Sequence, residues 1–412
     1  LKLPRLRQEG LGAQFVAQHG GRGGRAGICV AAGAVRAAGR FVDSGRPGVR
    51  ASEQPSGGAS ACGALAVSDR QHGGRSAAAG LRAMAGAFCV GSGFCCGAKL
   101  RDASHAGGWY PDDEGELRGQ LAALLREAAF ARGSGRPPKA LIAPHAGLRY
   151  CGPTAACAYV NLEPGTVERI VVLGPSHHKR IQGCALPAAG LAAYRTPLGP
   201  LDLDLGALEE LRDTGDFDEL GLRDDEAEHS IEMQLPFVAL AMEGAGDWVL
   251  LPILVGRLGP DAIARFAEHL GPLFDDPTTL FVVSSDFCHW GAKFRYQPRL
   301  PVRPLASSSA VPGAGAAGRA NPINAGIESL DLRGIDLICQ QDGQAFSQYL
   351  EAEGNTICGR NPIRLLLELL AARPGRFRVR FLHYSQSRLM GPAPAAGDSS
   401  VSYAAGLCEP VV

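Results

Sequence analysis

Apolar residues run without alternation through three short segments of this chain, and each segment ends in His or Asp side chains. The segments are residues 140–145 (ALIAPH), 170–178 (IVVLGPSHH) and 280–289 (LFVVSSDFCH). Each apolar run is cut off by Pro, Gly or Ser, which indicates a short strand buried on both faces. Such strands lie in parallel sheets, where ligands bind beyond the carboxyl ends of the strands. We therefore expect the polar ends of the three segments to meet in one crevice.

The sequence between these segments alternates between helical and extended patterns. Further helices are predicted at residues 114–132, 153–160, 203–211, 230–242, 261–270, 327–340, 344–351 and 362–370, and further strands at residues 248–255, 377–384 and 401–405. Pro252 within one of these strands indicates a bulge or an edge position. Alternating strands and helices predict an α/β fold: a single domain over residues 97–412 with a mostly parallel central sheet flanked by helices.

Two segments have compositions that do not support a packed core. Residues 1–93 are rich in Gly, Ala, Arg and Ser, so we expect residues 1–96 to be disordered. The chain starts with Leu1 and its first methionine is Met84. We expect this segment to be translated upstream or mispredicted sequence, with an Arg-rich transit peptide as the alternative. Residues 298–322, rich in Pro, Ala, Gly and Ser, predict a flexible low-complexity insertion.

Charge and cysteine usage exclude several classes of protein. Residues 1–93 carry twelve Lys or Arg against four acids, and the formal net charge of the whole chain is +0, so the remainder is acidic. An acidic body has no general attraction for nucleic acid. No apolar run approaches the roughly 18–20 residues of a membrane span. The twelve cysteines include no CxxC pair and no signal peptide is evident, which favours a cytoplasmic or nuclear location.

The first two strand ends carry candidate histidines. His145 precedes Gly147, which permits close backbone approach to a ligand, although a lone His after a strand is more often an ordinary turn residue. His177 and His178 follow the sharp turn at residues 174–176. Because adjacent side chains point in different directions, we expect only one of these two histidines to be a ligand.

The third strand end carries Asp286 and His289. If the segment turns helically, these side chains share one face, and the carboxylate can orient an imidazole that works as a general base. The alternative is that Asp286 caps a helix. Cys358 in the segment NTICGR adds a thiolate, although a lone Cys is more often a small buried hydrophobe. His229 precedes Ser230, a plausible helix N-cap, so we expect His229 to be structural.

Together these residues resemble the Memo family (mediator of ErbB-receptor-driven cell motility). Seven motifs in order carry the resemblance over residues 101–406: RDASHAGGWY, IAPHAG, LGPSHH, EHSIEM, FVVSSDFCHWG, NTICGR and DSSVSYAAG. The resemblance implies a fold similar to the class III extradiol (LigB-like) dioxygenases. Asn361 and Gln234 stand where animal members carry His, and neither low-complexity segment has a counterpart in the family.

The resemblance also implies functional residues. His145, His177 and Cys358 take the positions of the dioxygenase iron ligands, with Cys358 in place of a glutamate. His289 and Asp286 match the remaining site residues, with His289 where the dioxygenases place an acid–base histidine. The family binds copper and iron and links receptor signalling to motility through phosphotyrosine-containing peptides.

Three functions follow as alternatives. The first is a metal-binding redox and signalling protein of the Memo type. The second is a phosphotyrosine-peptide adaptor without catalysis, for which Trp109, Tyr150 and Arg360 are candidate rim residues. The third is a non-haem iron dioxygenase. Thiolate in place of carboxylate softens the site toward copper and argues against ring cleavage.

Overall fold

The computed structural model describes residues 99–133, 135–302, 311–315, 322–390, 395 and 397–411. All of them fall in the compact unit Ala87–Val412. The predicted disordered extension over residues 1–96 lies outside the described residues, as does most of the predicted insertion between residues 303 and 321.

The strands of the described part form two sheets. In chain order they are β1 Lys99–Arg101, β2 Ala140–Ala143, β3 Arg169–Pro175, β4 Cys184–Leu186, β5 Leu191–Thr196, β6 Gly199–Asp202, β7 Asp218–Glu219, β8 Val249–Val255, β9 Thr279–Ser284, β10 His289–Gly291, β11 Phe377–Gln386 and β12 Ser399–Pro410. The large sheet has nine strands in the order β10-β12-β2-β9-β3-β8-β4-β7, with β11 paired to β12. The small sheet has the order β1-β5-β6.

The centre of the large sheet is parallel. Strands β2, β9, β3 and β8 pair in parallel, while β12 pairs antiparallel with β2, and β4 antiparallel with β8. Every residue of β2 and β9 is buried, as unalternating apolar runs require. Strand β8 pairs with β3 in unbroken register and meets β4 only at Leu254 and Val255. Pro252 therefore has a ladder partner on one side among the described strands, which resembles an edge position.

Helices flank this sheet, which confirms the predicted α/β fold class. They are α1 Glu114–Glu127, α2 Leu148–Tyr159, α3 Leu205–Asp213, α4 Leu222–Ala227, α5 Leu235–Ala241, α6 Pro260–Asp275, α7 Pro322–Cys339, α8 Gly343–Glu353 and α9 Arg360–Ala371. Helix α2 packs on β2, β11 and β12, while α6 packs on β9 and α9 on β3 and β9. No helix of the described residues is long and apolar enough to cross a membrane.

Local predictions differ from the structure at several positions. Helix α2 starts at Leu148, five residues before the predicted start, and contains Pro153 in its interior. Helix α5 starts at Leu235, because residues 230–234 form a turn and a short 3₁₀ segment. Within the predicted flexible insertion, Val311 is buried and the Pro312 carbonyl accepts the Tyr384 N–H at 2.9 Å. Residues 311–315 therefore pack against β11.

Candidate metal centre

The site lies at the carboxyl ends of three adjacent parallel strands, β2, β9 and β3. Two residues beyond the last residue of each strand come His145, Asp286 and His177, respectively. The ring centroids of His145 and His177 are 5.2 Å apart. The crevice expected from the apolar runs is therefore present, because parallel strands deliver their ends to one edge.

His145 is fully buried, and its tautomer follows from its hydrogen bonds. The Ser284 hydroxyl donates to the Ser230 carbonyl at 2.7 Å, so it accepts from His145 Nδ1 at 2.6 Å. His145 Nδ1 thus carries the proton, and Nε2 presents the lone pair that a metal ligand needs. Burial, together with the charges of His177, His229 and His289, holds the pKa of His145 well below its usual value.

His177 is oriented by the buried carboxylate of Glu228. The Glu228 carboxylate accepts a hydrogen bond from His177 Nδ1 at 2.9 Å and another from the His177 backbone N–H at 2.6 Å. Burial alone would raise the pKa of Glu228, but the hydrogen bonds and charge of His177 bring it to about 2. An ionised carboxylate on Nδ1 leaves Nε2 for a metal, which is the arrangement that supports histidine ligands in metal sites.

His229 joins this pair, which the sequence analysis did not foresee. One ligand atom from each of His145, His177 and His229 lies within 4.8 Å of the others. The rings of His177 and His229 stack at 4.4 Å. Burial and the charge of His177 lower the pKa of His229 to about 3. Its buried Nδ1 lies 3.4 Å from Glu228 Oε1 and forms no hydrogen bond within the described residues. His229 is therefore a neutral imidazole available as a third ligand.

Ser230 has a different role from the predicted helix cap. Its hydroxyl donates to the Pro175 carbonyl at 2.8 Å and so ties the loop of His229 to the end of β3. Gly174 permits this approach, because a Cβ there would lie 2.6 Å from both Ile231 and Ser230 side-chain atoms. This hydrogen bond joins two loops at residues that are 55 positions apart in the sequence. Local sequence patterns do not report such a contact, so they did not place His229 in the site.

Cys358 contacts the site at His145. Its Sγ lies 3.1 Å from His145 Nε2, and it accepts the Asp286 backbone N–H at 3.1 Å. Burial and the nearby Asp286 charge raise the pKa of the thiol well above its usual value. Cys358 is not a member of the three-histidine group, but it touches one of the three. The predicted ligand set and the observed cluster therefore share His145 and His177.

Asp286 and His289 are held by separate partners. The buried Asp286 carboxylate accepts the His145 backbone N–H at 2.8 Å, and burial raises its pKa to about 7. His289 Nδ1 lies 2.8 Å from the Phe287 carbonyl, which can only accept, so Nδ1 carries the proton and Nε2 is free. The helical turn that would place them on one face is absent, because residues 285–288 have no regular secondary structure and His289 begins β10, paired with β12.

The predicted rim residues divide between two places. Trp109 is 40% exposed and its ring lies 4.6 Å from that of His229. Tyr150 is 48% exposed, and both residues lie beside Gly147. Arg360 instead lines a cavity between α8, α9 and the loop after β8. An exposed aromatic pair therefore borders the histidines, and Arg360 belongs to another concavity.

A buried ion network supports the loop of His229 from the small sheet. Arg101 of β1 bonds Asp225 at 3.0 Å and Glu232 at 2.6 Å, and its Nη2 donates to the Glu228 carbonyl at 3.0 Å. Tyr110 and His105 donate to the same Glu232 carboxylate. The network holds both flanks of the loop that carries Glu228 and His229.

Glu232 predicts an acid-sensitive stability. Burial alone would raise its pKa, but the His105 hydrogen bond and the Arg101 charge lower it from 4.5 to about 2. A carboxylate with a depressed folded-state pKa stabilises the fold above pH 4.5 and loses that contribution as the pH falls toward 2. We expect roughly 3 kcal/mol of stability to disappear across this window.

Denaturant unfolding of wild type and Glu232→Gln at pH 6 and pH 3 checks this expectation. The variant should be less stable at pH 6 and show a smaller loss on acidification. Glu243→Gln is the control, because Glu243 pairs with Arg118 at the surface. An unchanged pH slope in Glu232→Gln would contradict the assignment.

The chain matches one protein family over nearly all of its described residues. A sequence model described as Memo-like protein matches residues 101–407. The chain belongs to the Memo family. The match contains every residue of the site described above.

Relatives within the Memo family cover nearly the same region. Protein MEMO1 of Xenopus laevis and of Homo sapiens are each 42% identical over 310 residues, which is 74% of this chain and 96% of theirs. Protein memo-1 homolog of Caenorhabditis elegans is 41% identical over 319 residues, covering 76% of this chain and 83% of its own. A solved structure, the uncharacterized protein JW3007 of Escherichia coli K12, covers 64% of this chain and 98% of its own at 14% identity with a TM-score of 0.35, a likeness too weak to support a conclusion.

The donor set of this Memo-family chain suits a transition metal. Imidazoles with a neighbouring thiol match copper, zinc or iron and are a poor match to calcium or magnesium. The three histidine ligand atoms within 4.8 Å need only small shifts to reach the roughly 2.0–2.1 Å bonds of a metal–imidazole centre. The Glu228 carboxylate, which supports His177 and lies 3.4 Å from His229 Nδ1, fits the same purpose.

Proposed function

We propose that this protein binds one copper or iron ion and uses it for redox chemistry in receptor-driven motility signalling. The observation that carries the proposal is the convergence of His145, His177 and His229, with the Cys358 thiol against His145. The signalling role is supported by the resemblance to the Memo family. A cytoplasmic or nuclear location is part of the proposal, supported by free thiols at the described cysteines.

Side chains of the protein can accept protons or orient ligands beside the ion. A bound copper or iron ion would supply one-electron exchange. Burial lowers the pKa of His289 to about 4, so its imidazole is neutral at pH 7 with Nε2 free to accept a proton. Asp286 orients the backbone that carries His145. The chain thus offers a base next to a ligand cluster, which is what coupled proton and electron transfer needs.

Metal content tests the proposal directly. Protein purified under reducing conditions and reconstituted with copper or iron should hold about one ion per chain, because the three histidines form one group. Oxidase and catechol assays on the same sample separate the alternatives. Absence of stoichiometric metal would contradict the proposal, and robust catechol cleavage would favour the dioxygenase.

His289→Ala separates chemistry from binding. Because His289 supplies a base and not a ligand, we expect the variant to keep its metal and lose about 10²-fold or more of metal-dependent oxidant turnover. His178→Ala is the matched control, since His178 is an exposed histidine outside the three-histidine group. Equal activity of the His289 and His178 variants would contradict a proton-transfer role.

A second candidate function is a phosphotyrosine-peptide adaptor without catalysis. The exposed aromatic pair Trp109 and Tyr150 favours it, because aromatic side chains at a cleft mouth anchor peptides. Arg149 packs on the Tyr150 ring at 4.6 Å and could pair with a phosphate. Binding of a phosphotyrosine peptide that survives metal removal and is lost in Trp109→Ala would favour the adaptor.

A further inference from the structure

The protein contains a cavity of about 380 Å³ that is lined by residues other than those of the histidine cluster. It is bordered by α8, α9 and the loop that follows β8. Its lining includes three arginines, Arg257, Arg360 and Arg364, against one acidic side chain, Glu351. None of His145, His177 and His229 contributes to it among the described residues. The cavity is therefore a separate, positively charged concavity.

The cavity walls are held by the protein's own hydrogen bonds. Arg364 donates Nε to the Ser347 hydroxyl at 3.0 Å and Nη1 to the Leu258 carbonyl at 3.0 Å. The Asn361 amide donates to the Gly256 carbonyl at 2.7 Å and so joins the start of α9 to the loop after β8. Arg257 is fixed at its backbone, whose N–H donates to the Ile181 carbonyl at 2.8 Å. The arginines therefore project from a rigid frame.

Glu351 is the acidic side chain of the lining, and two of the three arginines have no ion-pair partner among the described residues. Arg257 and Arg360 are exposed, and neither forms an ion pair within the described part of the chain. Burial lowers the pKa of Arg364; the Glu351 charge opposes this and the Arg360 charge adds to it. Three guanidinium groups around one concavity repel one another, and the attraction of an anion placed between them offsets that repulsion. The cavity lining therefore carries a net positive charge at fixed positions.

We propose that this cavity binds the phosphate group of a small phosphate monoester. Guanidinium groups pair with phosphate oxygens through two parallel N–H···O bonds, which a single ammonium group cannot provide. Arg360 is also the first residue of the twelve-residue helix α9, whose N-terminal dipole end adds to the attraction for an anion. A volume of about 380 Å³ suits a small ligand with room for a polar body beyond the phosphate.

Calorimetric titration of the full chain with glycerol 3-phosphate, inorganic phosphate and glycerol tests the proposal. We expect glycerol 3-phosphate to bind more tightly than inorganic phosphate, glycerol not to bind, and affinity to fall as salt rises. Arg257→Ala and Arg360→Ala should each weaken binding about 10-fold, the usual scale for a charge-assisted hydrogen bond. Arg126→Ala on α1, exposed and outside the cavity, is the control.

Circular dichroism and metal content of each variant show whether a loss of phosphate binding comes from misfolding or from damage to the histidine site. Both should match wild type, because Arg257 and Arg360 are exposed side chains outside the histidine group. Failure of glycerol 3-phosphate to bind would overturn the proposal. So would tighter or equal binding of inorganic phosphate, or an equal loss of affinity in the Arg126→Ala control.

Discussion

Replacing His177 with alanine should lower copper affinity by about 100-fold or more. Loss of a supporting residue behind a metal ligand already costs 10- to 100-fold in affinity, and loss of the ligand itself costs at least as much. His229→Ala should have a similar effect, because its imidazole stacks on His177 and belongs to the same group of ligand atoms. Competition titration with a chromophoric copper chelator measures both affinities.

Two further comparisons of variants serve as controls for this experiment. His178→Ala changes an exposed neighbouring histidine outside the group and should keep wild-type affinity. Cys358→Ser should weaken copper binding far more than Cys288→Ser, since Cys358 touches His145 and Cys288 is buried in the apolar core. Wild-type affinity in His229→Ala would remove it from the ligand set, and equal effects of the two Cys substitutions would remove Cys358.

Arg101→Met should destabilise the domain by about 3–5 kcal/mol, the scale for breaking a buried ion pair. Arg101 is 1% exposed and lies between the carboxylates of Asp225 and Glu232. Methionine fills much of the volume but leaves both carboxylates without their cation. Because Arg101 also donates to the Glu228 carbonyl, the variant should lose metal affinity as well.

Urea unfolding followed by circular dichroism measures the change in free energy. Arg195→Met on strand β5 of the same small sheet is the matched control. Arg195 pairs with Asp102 at 3.3 Å, but both side chains are more than half exposed, so we expect at most about 1 kcal/mol. A small effect of Arg101→Met, comparable to that of Arg195→Met, would show that the network contributes little to stability.

The central strands and their polar ends were predictable, because their signal is local. An unbroken apolar run followed by Pro, Gly or Ser marks a buried strand whatever lies elsewhere in the chain. The strands β2, β3 and β9 end within two residues of His145, His177 and Asp286, as the sequence indicated. Parallel pairing then brought those ends to one edge without any further information.

The features that were missed depend on distant partners. The position of His229 depends on Gly174 and on hydrogen bonds from Arg101, which no pattern near His229 reports. The segment from Asp286 to His289 does not form a helix, and it leads into β10, which pairs with β12 more than 100 residues later. The small sheet escaped prediction because β1 and β6 are short and mix buried with exposed positions.

Gly359 supplies no ligand atom, but the geometry of the site depends on it. A Cβ at this position would lie 2.3 Å from the Ser285 Cβ and 2.5 Å from the Ser284 carbonyl oxygen, so any larger residue would push the Cys358 segment off the end of β9. A member of the family that retained each histidine and Cys358 but lacked this glycine would carry the residues of the centre without its geometry. In surveys of relatives, this glycine is therefore a more direct marker of the site's geometry than the thiol beside it.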